Sequence, residues 1–168
     1  MGAAMTSPLY ASLAASYPKK QKHPGDGGMD AAALYKSIGH PEYAENMYMQ
    51  NTCAVRVSIA LLGAGIQPAP GHMTIQAGKF KGKRIEQSQK RLSAFLEKRL
   101  GKPEVYPSGY QASVKIGQRR GIVSFFHLNS ATDEQGHIDL VEPSTSSDLQ
   151  CIGACYWSAH EVWFWPLK

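Results

Sequence analysis

Apolar residues recur at helical spacing through the first hundred positions of the chain and fall into short β-type blocks from about Val114 onward, an order that predicts an α+β domain with a helical N-terminal half packed on an antiparallel sheet. The densest run, residues 54–62, has Asn51-Thr52-Cys53 at its head and Gly63, Gly65 and Pro68 behind it, the punctuation of a capped helix. Upstream, Leu9, Tyr10, Leu13, Ala14 and Tyr17 line one face of a short helix within residues 1–17, with Ser7 as its cap and Pro8 at its first position. Asp30 caps a second helix through Ile38, ended by Gly39 before Pro41. Residues 63–82 read as a long surface connection holding His72, with a flap over a site as the other reading. An amphipathic helix is expected over residues 84–100, with Ile85, Leu92, Phe95, Leu96 and Leu100 inward and Lys90, Arg91, Lys98 and Arg99 on a solvated basic face. Strands are expected over residues 121–126, 136–141 and 162–165, the last ended by Pro166.

Composition changes this picture little. At 168 residues, 43% of them hydrophobic and 18% charged, the chain suits a single packed domain spanning 1–168. No apolar stretch is long enough for a membrane span, and the first thirty residues lack the pattern of a Sec signal peptide, so synthesis in the cytoplasm is expected, and action elsewhere would need a route other than that signal. The net charge of +5 favours anionic surfaces (nucleic acid, membrane or bacterial wall) without choosing among them. No Gly-rich phosphate loop and no internal repeat is present, so nothing calls for a nucleotide.

Three cysteines divide as one plus two. Cys151 and Cys155 bracket Gly153, which lets a tight loop close into a disulfide in an oxidising compartment; plain thiols, or a zinc site with His160, are the other readings. Cys53 stands alone in the first turn of its helix, where the dipole favours an anion and hence a thiolate nucleophile. A small buried hydrophobe is the competing role. A nucleophile needs a base, and His23, His40, His72, His127, His137 and His160 are the histidines on offer. His23 and His40 stand beside prolines in turns and His72 lies in the long connection, whereas His137 enters a strand after a loop and can be held against a helix N-terminus. Asp148, across the polar turn 142–147, is the expected orienter of His137; Asp139 is the rival, because residues two apart share a face of a strand.

Taken together, Tyr48-Met49-Gln50-Asn51-Thr52-Cys53-Ala54-Val55-Arg56-Val57-Ser58, the later Leu100-Gly101-Lys102-Pro103-Glu104, the 121–123 strand and Gly136-His137-Ile138-Asp139-Leu140 resemble the family 4 amidase effectors of the bacterial type VI secretion system. The resemblance runs in order from about Asp30 to the C-terminus, and implies a papain-like, NlpC-type cysteine peptidase fold. The chain departs from the family where many members have Trp and then Asn-Gly after the histidine strand; here Val141-Glu142-Pro143 follows. Carried over residue by residue, the family's nucleophile falls on Cys53, its histidine on His137 and its acid on Asp148, with no metal and no cofactor. The oxyanion would meet the Cys53 backbone N–H, with Gln50 and Asn51 as helpers or as capping and packing groups. The implied substrate is the peptide stem of Gram-negative peptidoglycan, cut between γ-D-glutamate and meso-diaminopimelate, or at the diaminopimelate–D-alanine cross-link as in related families. The implied partners are an immunity protein and the secretion apparatus, not nucleic acid, and the implied place of action is the periplasm of a target cell. Two other classes compete: a cytoplasmic cysteine acyltransferase or deamidase of the same fold, and a non-catalytic basic binding module with Cys53 in its core.

Overall fold

The computed structural model describes residues 7–168. Among them the helices are α1 (Tyr10–Ser16), α2 (Ala31–Ser37), α3 (Cys53–Gly63), α4 (Gln89–Leu100) and α5 (Gly109–Ile116). The strands are β1 (Met73–Thr74), β2 (Arg84–Ile85), β3 (Glu104–Tyr106), β4 (Arg120–Phe126), β5 (Gly136–Pro143), β6 (Leu149–Cys151) and β7 (Glu161–Leu167). The last five form one antiparallel sheet in the order β3-β7-β4-β5-β6, and β1 and β2 pair as a separate ribbon. The α+β expectation holds.

Helix α3 is apolar apart from Arg56 and Ser58 and is enclosed on all sides: each residue from Cys53 through Leu61 is buried. One side packs with α1 and α4 on Ile122, Ile138 and Leu140 of the sheet. Another meets α2 and the β1–β2 ribbon through Val55, Ile59, Met73, Ile75 and Ile85. Helix α5 covers the other face of the sheet, where Ala112 and Ile116 pack with Val123, Phe125, Val141 and Phe164. The nucleophile candidate therefore begins a helix wedged between two layers, which fixes its position closely.

Several expected elements have different limits. Helix α1 starts at Tyr10 with Leu9 at its cap, so Ser7 and Pro8 precede it; the part of that expectation falling on residues 1–6 lies outside the described residues. The Asp30 cap is present, its carboxylate accepting Ala33 N–H at 2.8 Å. The helix expected over 84–100 begins only at Gln89, capped by Ser88 accepting Arg91 N–H, while Arg84 and Ile85 pair with β1. That pairing also gives structure to the 63–82 connection, which packs on α2 and α3 through Met73 and Ile75. Arg91 is not simply solvated, since its guanidinium binds Glu86. β7 runs through Pro166 rather than ending before it: β3 pairs only with residues 162–164, so the proline's missing N–H falls where β7 has no partner on that side.

Candidate active site

Cys53 opens α3, 6% exposed, and among the described residues it is the free cysteine. Asn51 leads into it: its side-chain carbonyl accepts the Cys53 N–H at 3.3 Å, while its Nδ2 donates to the Gly136 carbonyl at 3.4 Å. One side chain thus ties the head of α3 to the head of β5. The approach is close because Gly136 has no side chain; a Cβ there would lie 2.0 Å from Gln89 Oε1 and 3.0 Å from the Phe125 carbonyl.

His137 follows immediately. It pairs across the sheet with Phe125, stacks on that ring, and has Tyr156 beside it at 4.9 Å between ring centres. Its Nε2 is 2.8 Å from Asp139 Oδ2, which leaves Nδ1 as the nitrogen available to the Cys53 thiol. Burial opposes the imidazolium, but hydrogen bonds to Asp139 and Cys53 outweigh it and push the His137 pKa up to about 9. Asp139 is fully buried, and it accepts backbone N–H groups from Leu140, Gly153 and Ala154. The Tyr17 hydroxyl also bonds to it, and burial, then the Asp139 charge, keep that phenol protonated well above its ordinary range.

The carboxylate on His137 is therefore Asp139, and the expectation of Asp148 is corrected. Asp148 sits exposed in the β5–β6 turn, its backbone carbonyl accepting Ser144 N–H. The hairpin register pairs Pro143 with Leu149, so Asp148 lies beyond the far end of β5, six strand residues from His137. At about 3.3 Å per residue that is roughly 20 Å.

The other histidines are committed elsewhere. His40 bonds to Glu42 and the Thr74 carbonyl, His72 to Glu86 and His127 to the Asp133 carbonyl. His23 and His160 are exposed, the first in the turn that Asp26 closes and the second just before β7. Cys151 and Cys155 are joined in a disulfide, with a Cα separation of 5.2 Å, so the zinc set with His160 is not formed. Gln50 donates its side-chain N–H groups to the Ala44 and Asn46 carbonyls, a packing role.

Pattern reading missed Tyr17, the N–H pair of Gly153 and Ala154, and the function of Arg56. Arg56 is 3% exposed and reaches from α3 to Thr52 Oγ1 and to the carbonyls of Pro18 and Met29. Burial lowers its pKa, partly offset by the charges of Tyr17, Asp30, Tyr35 and Asp139. A lone arginine inside an apolar helix was the available signal; for the N–H pair there was none, because backbone donors carry no sequence mark.

Cys53 and His137 lie in an open cleft of about 830 Å³ whose walls include Tyr17, Lys20, Tyr48, Gln87 and Tyr156. Fold and cleft together define a papain-like cysteine amidase, with the cysteine on a helix and the histidine on an antiparallel sheet. The model of the type VI secretion system amidase effector protein 4 family, Tae4, matches residues 49–165, and the chain belongs to that family.

Solved structures agree with the fold. The Tae4 effector of Enterobacter cloacae superposes with a TM-score of 0.72 at 21% identity, covering 99% of this chain and all of that one. The Enterobacter cloacae Tae4–Tai4 effector–immunity complex gives 0.70 at 21% identity, over 97% of this chain and 100% of that one. The corresponding Salmonella Typhimurium complex gives 0.68 at 17% identity, with the same coverages. Among curated protein sequences nothing matches significantly.

Proposed function

We propose that the chain is a single-domain peptidoglycan amidase that cuts the stem peptide between γ-D-glutamate and meso-diaminopimelate. The observation that carries this reading is the Cys53–His137–Asp139 alignment in an open cleft, on a chain of the amidase effector family. The Cys53 thiolate attacks the amide carbonyl, forming a C–S bond; as the C–N bond breaks, the His137 imidazolium gives its proton to the leaving amine. Water then attacks the thioester with His137 as base, releasing the new carboxylate and the thiol. Asp139 holds the imidazole in the tautomer that presents Nδ1 to sulfur. The developing oxyanion meets the Cys53 N–H, replacing its long bond to Asn51.

Membership of a secretion effector family supports delivery by the type VI apparatus into the periplasm of a target cell, and the complexes of the structural relatives support a cognate immunity protein for this one. No helix among the described residues is long and apolar enough to cross a membrane. Mass spectrometry of purified Gram-negative sacculi after incubation tests the reading. New diaminopimelate amino termini are expected, whereas release of D-alanine cross-links would move the cut to the other bond and intact sacculi would reject wall hydrolysis.

A further inference from the structure

The loop from Cys151 to Cys155 is closed on itself by a disulfide, and two of the three residues it encloses aim their N–H groups at one carboxylate. Gly153 donates to Asp139 Oδ2 at 3.0 Å and to Oδ1 at 3.2 Å, and Ala154 donates to Oδ2 at 2.9 Å. The same Oδ2 receives His137 Nε2. The strand's own contribution is the Leu140 N–H on Oδ1. The loop fits tightly, since a Cβ on Gly153 would lie 2.7 Å from Asp139 Oδ2 and 3.5 Å from the Tyr17 oxygen. At one end it is tied to the sheet by Ile152 N–H on the Leu140 carbonyl; at the other the chain passes out through exposed Ala154 and Tyr156, and the disulfide draws it back. Both cysteines are partly exposed at the edge of the cluster of Val123, Phe125 and Val141.

We propose that the Cys151–Cys155 disulfide is the positioning device of this active site: the closed loop aims Asp139 at His137, and opening it disables the enzyme in a reducing compartment. The inference rests on the Cys53–His137–Asp139 reading of the site. A dithiol reductant supplies two electrons and two protons, closes to its own cyclic disulfide, and leaves two thiols at Cys151 and Cys155; no bond at Cys53, His137 or Asp139 changes. Once open, the loop regains conformational freedom and Asp139 loses two of its three backbone donors. The titratable groups facing the imidazole are Cys53 from α3, Asp139 from its own strand and Tyr156 from the segment after the loop, with Tyr17 behind Asp139. A loosened Asp139 returns His137 from about 9 toward its ordinary 6.5.

The experiment compares the oxidised protein, the protein treated with a dithiol and then reoxidised, C151S/C155S, and G153A, which retains the disulfide but crowds Asp139. Two quantities are read: sacculus hydrolysis, and the pH profile of Cys53 alkylation by iodoacetamide, located by peptide mass. The reduced protein and C151S/C155S should lose about tenfold in kcat with little change in KM, a fraction of the ~10²–10⁴ that a positioned acid–base group contributes. Their low-pH alkylation limb should weaken and the profile move to higher pH, because less imidazolium is left to stabilise the thiolate; reoxidation should restore the wild type alone, and G153A should lose activity while oxidised. Unchanged kcat and an unshifted limb in C151S/C155S would reduce the disulfide to a fold staple and overturn the proposal. Should that variant not fold, the reduction and reoxidation cycle decides by the same criteria. Intact sacculi with the oxidised wild type would instead refute the amidase reading, while the alkylation profiles would still test the clamp.

Discussion

His137 stands between an anion that wants it charged and a burial that wants it neutral, and the anion wins. Because its pKa in the fold, about 9, exceeds the ordinary 6.5, its contribution to stability is complete below 6.5 and disappears as the pH rises through 9. The leaving amine needs the same proton, so sacculus hydrolysis should decline above pH 9, and the melting temperature of wild type over His137→Ala should shrink across the same window. A pH–rate profile with no basic limb up to pH 10 would contradict the assignment. Asp139 supports that charge, whereas Asp148 lies at the far end of the strand. Asp139→Ala should therefore lower kcat by about 10²–10⁴, within the range of lost acid–base positioning, while Asp148→Ala stays within about twofold. Equal losses in both would put Asp148 back in the site. Of the proposed centre, the placement of Cys53 and His137 in one cleft was legible from type and position: a cysteine in the first turn of an apolar run, a histidine at a strand entry. The acid was not, since spacing along the chain offered both aspartates and only the register of the β5–β6 hairpin tells them apart.

Among the elements, α3 and the central strands were legible because their apolar runs and glycine stops agree, whereas α4 shows where periodicity misleads. Ile85 fits the helical stripe of α4 and is buried, yet it is buried as a strand residue of the β1–β2 ribbon. What sets the true boundary is polar: Glu86, 2% exposed, accepts Ser88 N–H, binds Arg91 and His72, and has its own backbone held by Ser58, leaving Ser88 to cap α4. Glu86 is kept below the usual carboxylate range by Arg91, Ser88 and His72 against the pull of burial. Helix α5 is not anticipated by the pattern: β-type blocks are expected from about Val114, but Val114 to Ile116 are the last turn of a helix capped by Ser108, which accepts the Gln111 N–H. Tyr110 and Val114, residue types that favour strands, face solvent on this helix. Ser88→Ala should cost about 1 kcal/mol, the usual value of such a cap, and lower the melting temperature by about 2–4 °C with kcat little changed. An unshifted melt would mean that Glu86 alone sets the start of α4.

Across the whole molecule, the cleft is assembled from segments distant in sequence, and Arg56 is the group that binds the N-terminal segment to the nucleophile helix. Its guanidinium spans from Thr52, one residue before Cys53, to the carbonyls of Pro18 and Met29, one on each of the two segments that meet at the Lys20–Met29 bridge. Tyr17, which bonds to Asp139, and Lys20, which lines the cleft, both belong to the stretch so held. Replacing Arg56 by Met keeps the length of the side chain but leaves the Pro18 carbonyl and the Thr52 hydroxyl without that donor, and the Met29 carbonyl with the Gln21 N–H alone. Each buried group so orphaned costs about 1–3 kcal/mol before relaxation. Solvent reaching the two carbonyls recovers part of that, so the expected loss is about 3 kcal/mol, or roughly 6–12 °C in the melting temperature of a domain this size. Cys53 alkylation separates the two consequences of that loss. If Arg56 holds the cleft together, the variant below its melting temperature should show faster alkylation at high pH, where a looser cleft exposes sulfur, and a weakened low-pH limb, where Asp139 and His137 must be aligned. A variant that melts early but retains the wild-type alkylation profile would confine Arg56 to stability and leave the N-terminal segment no part in the chemistry.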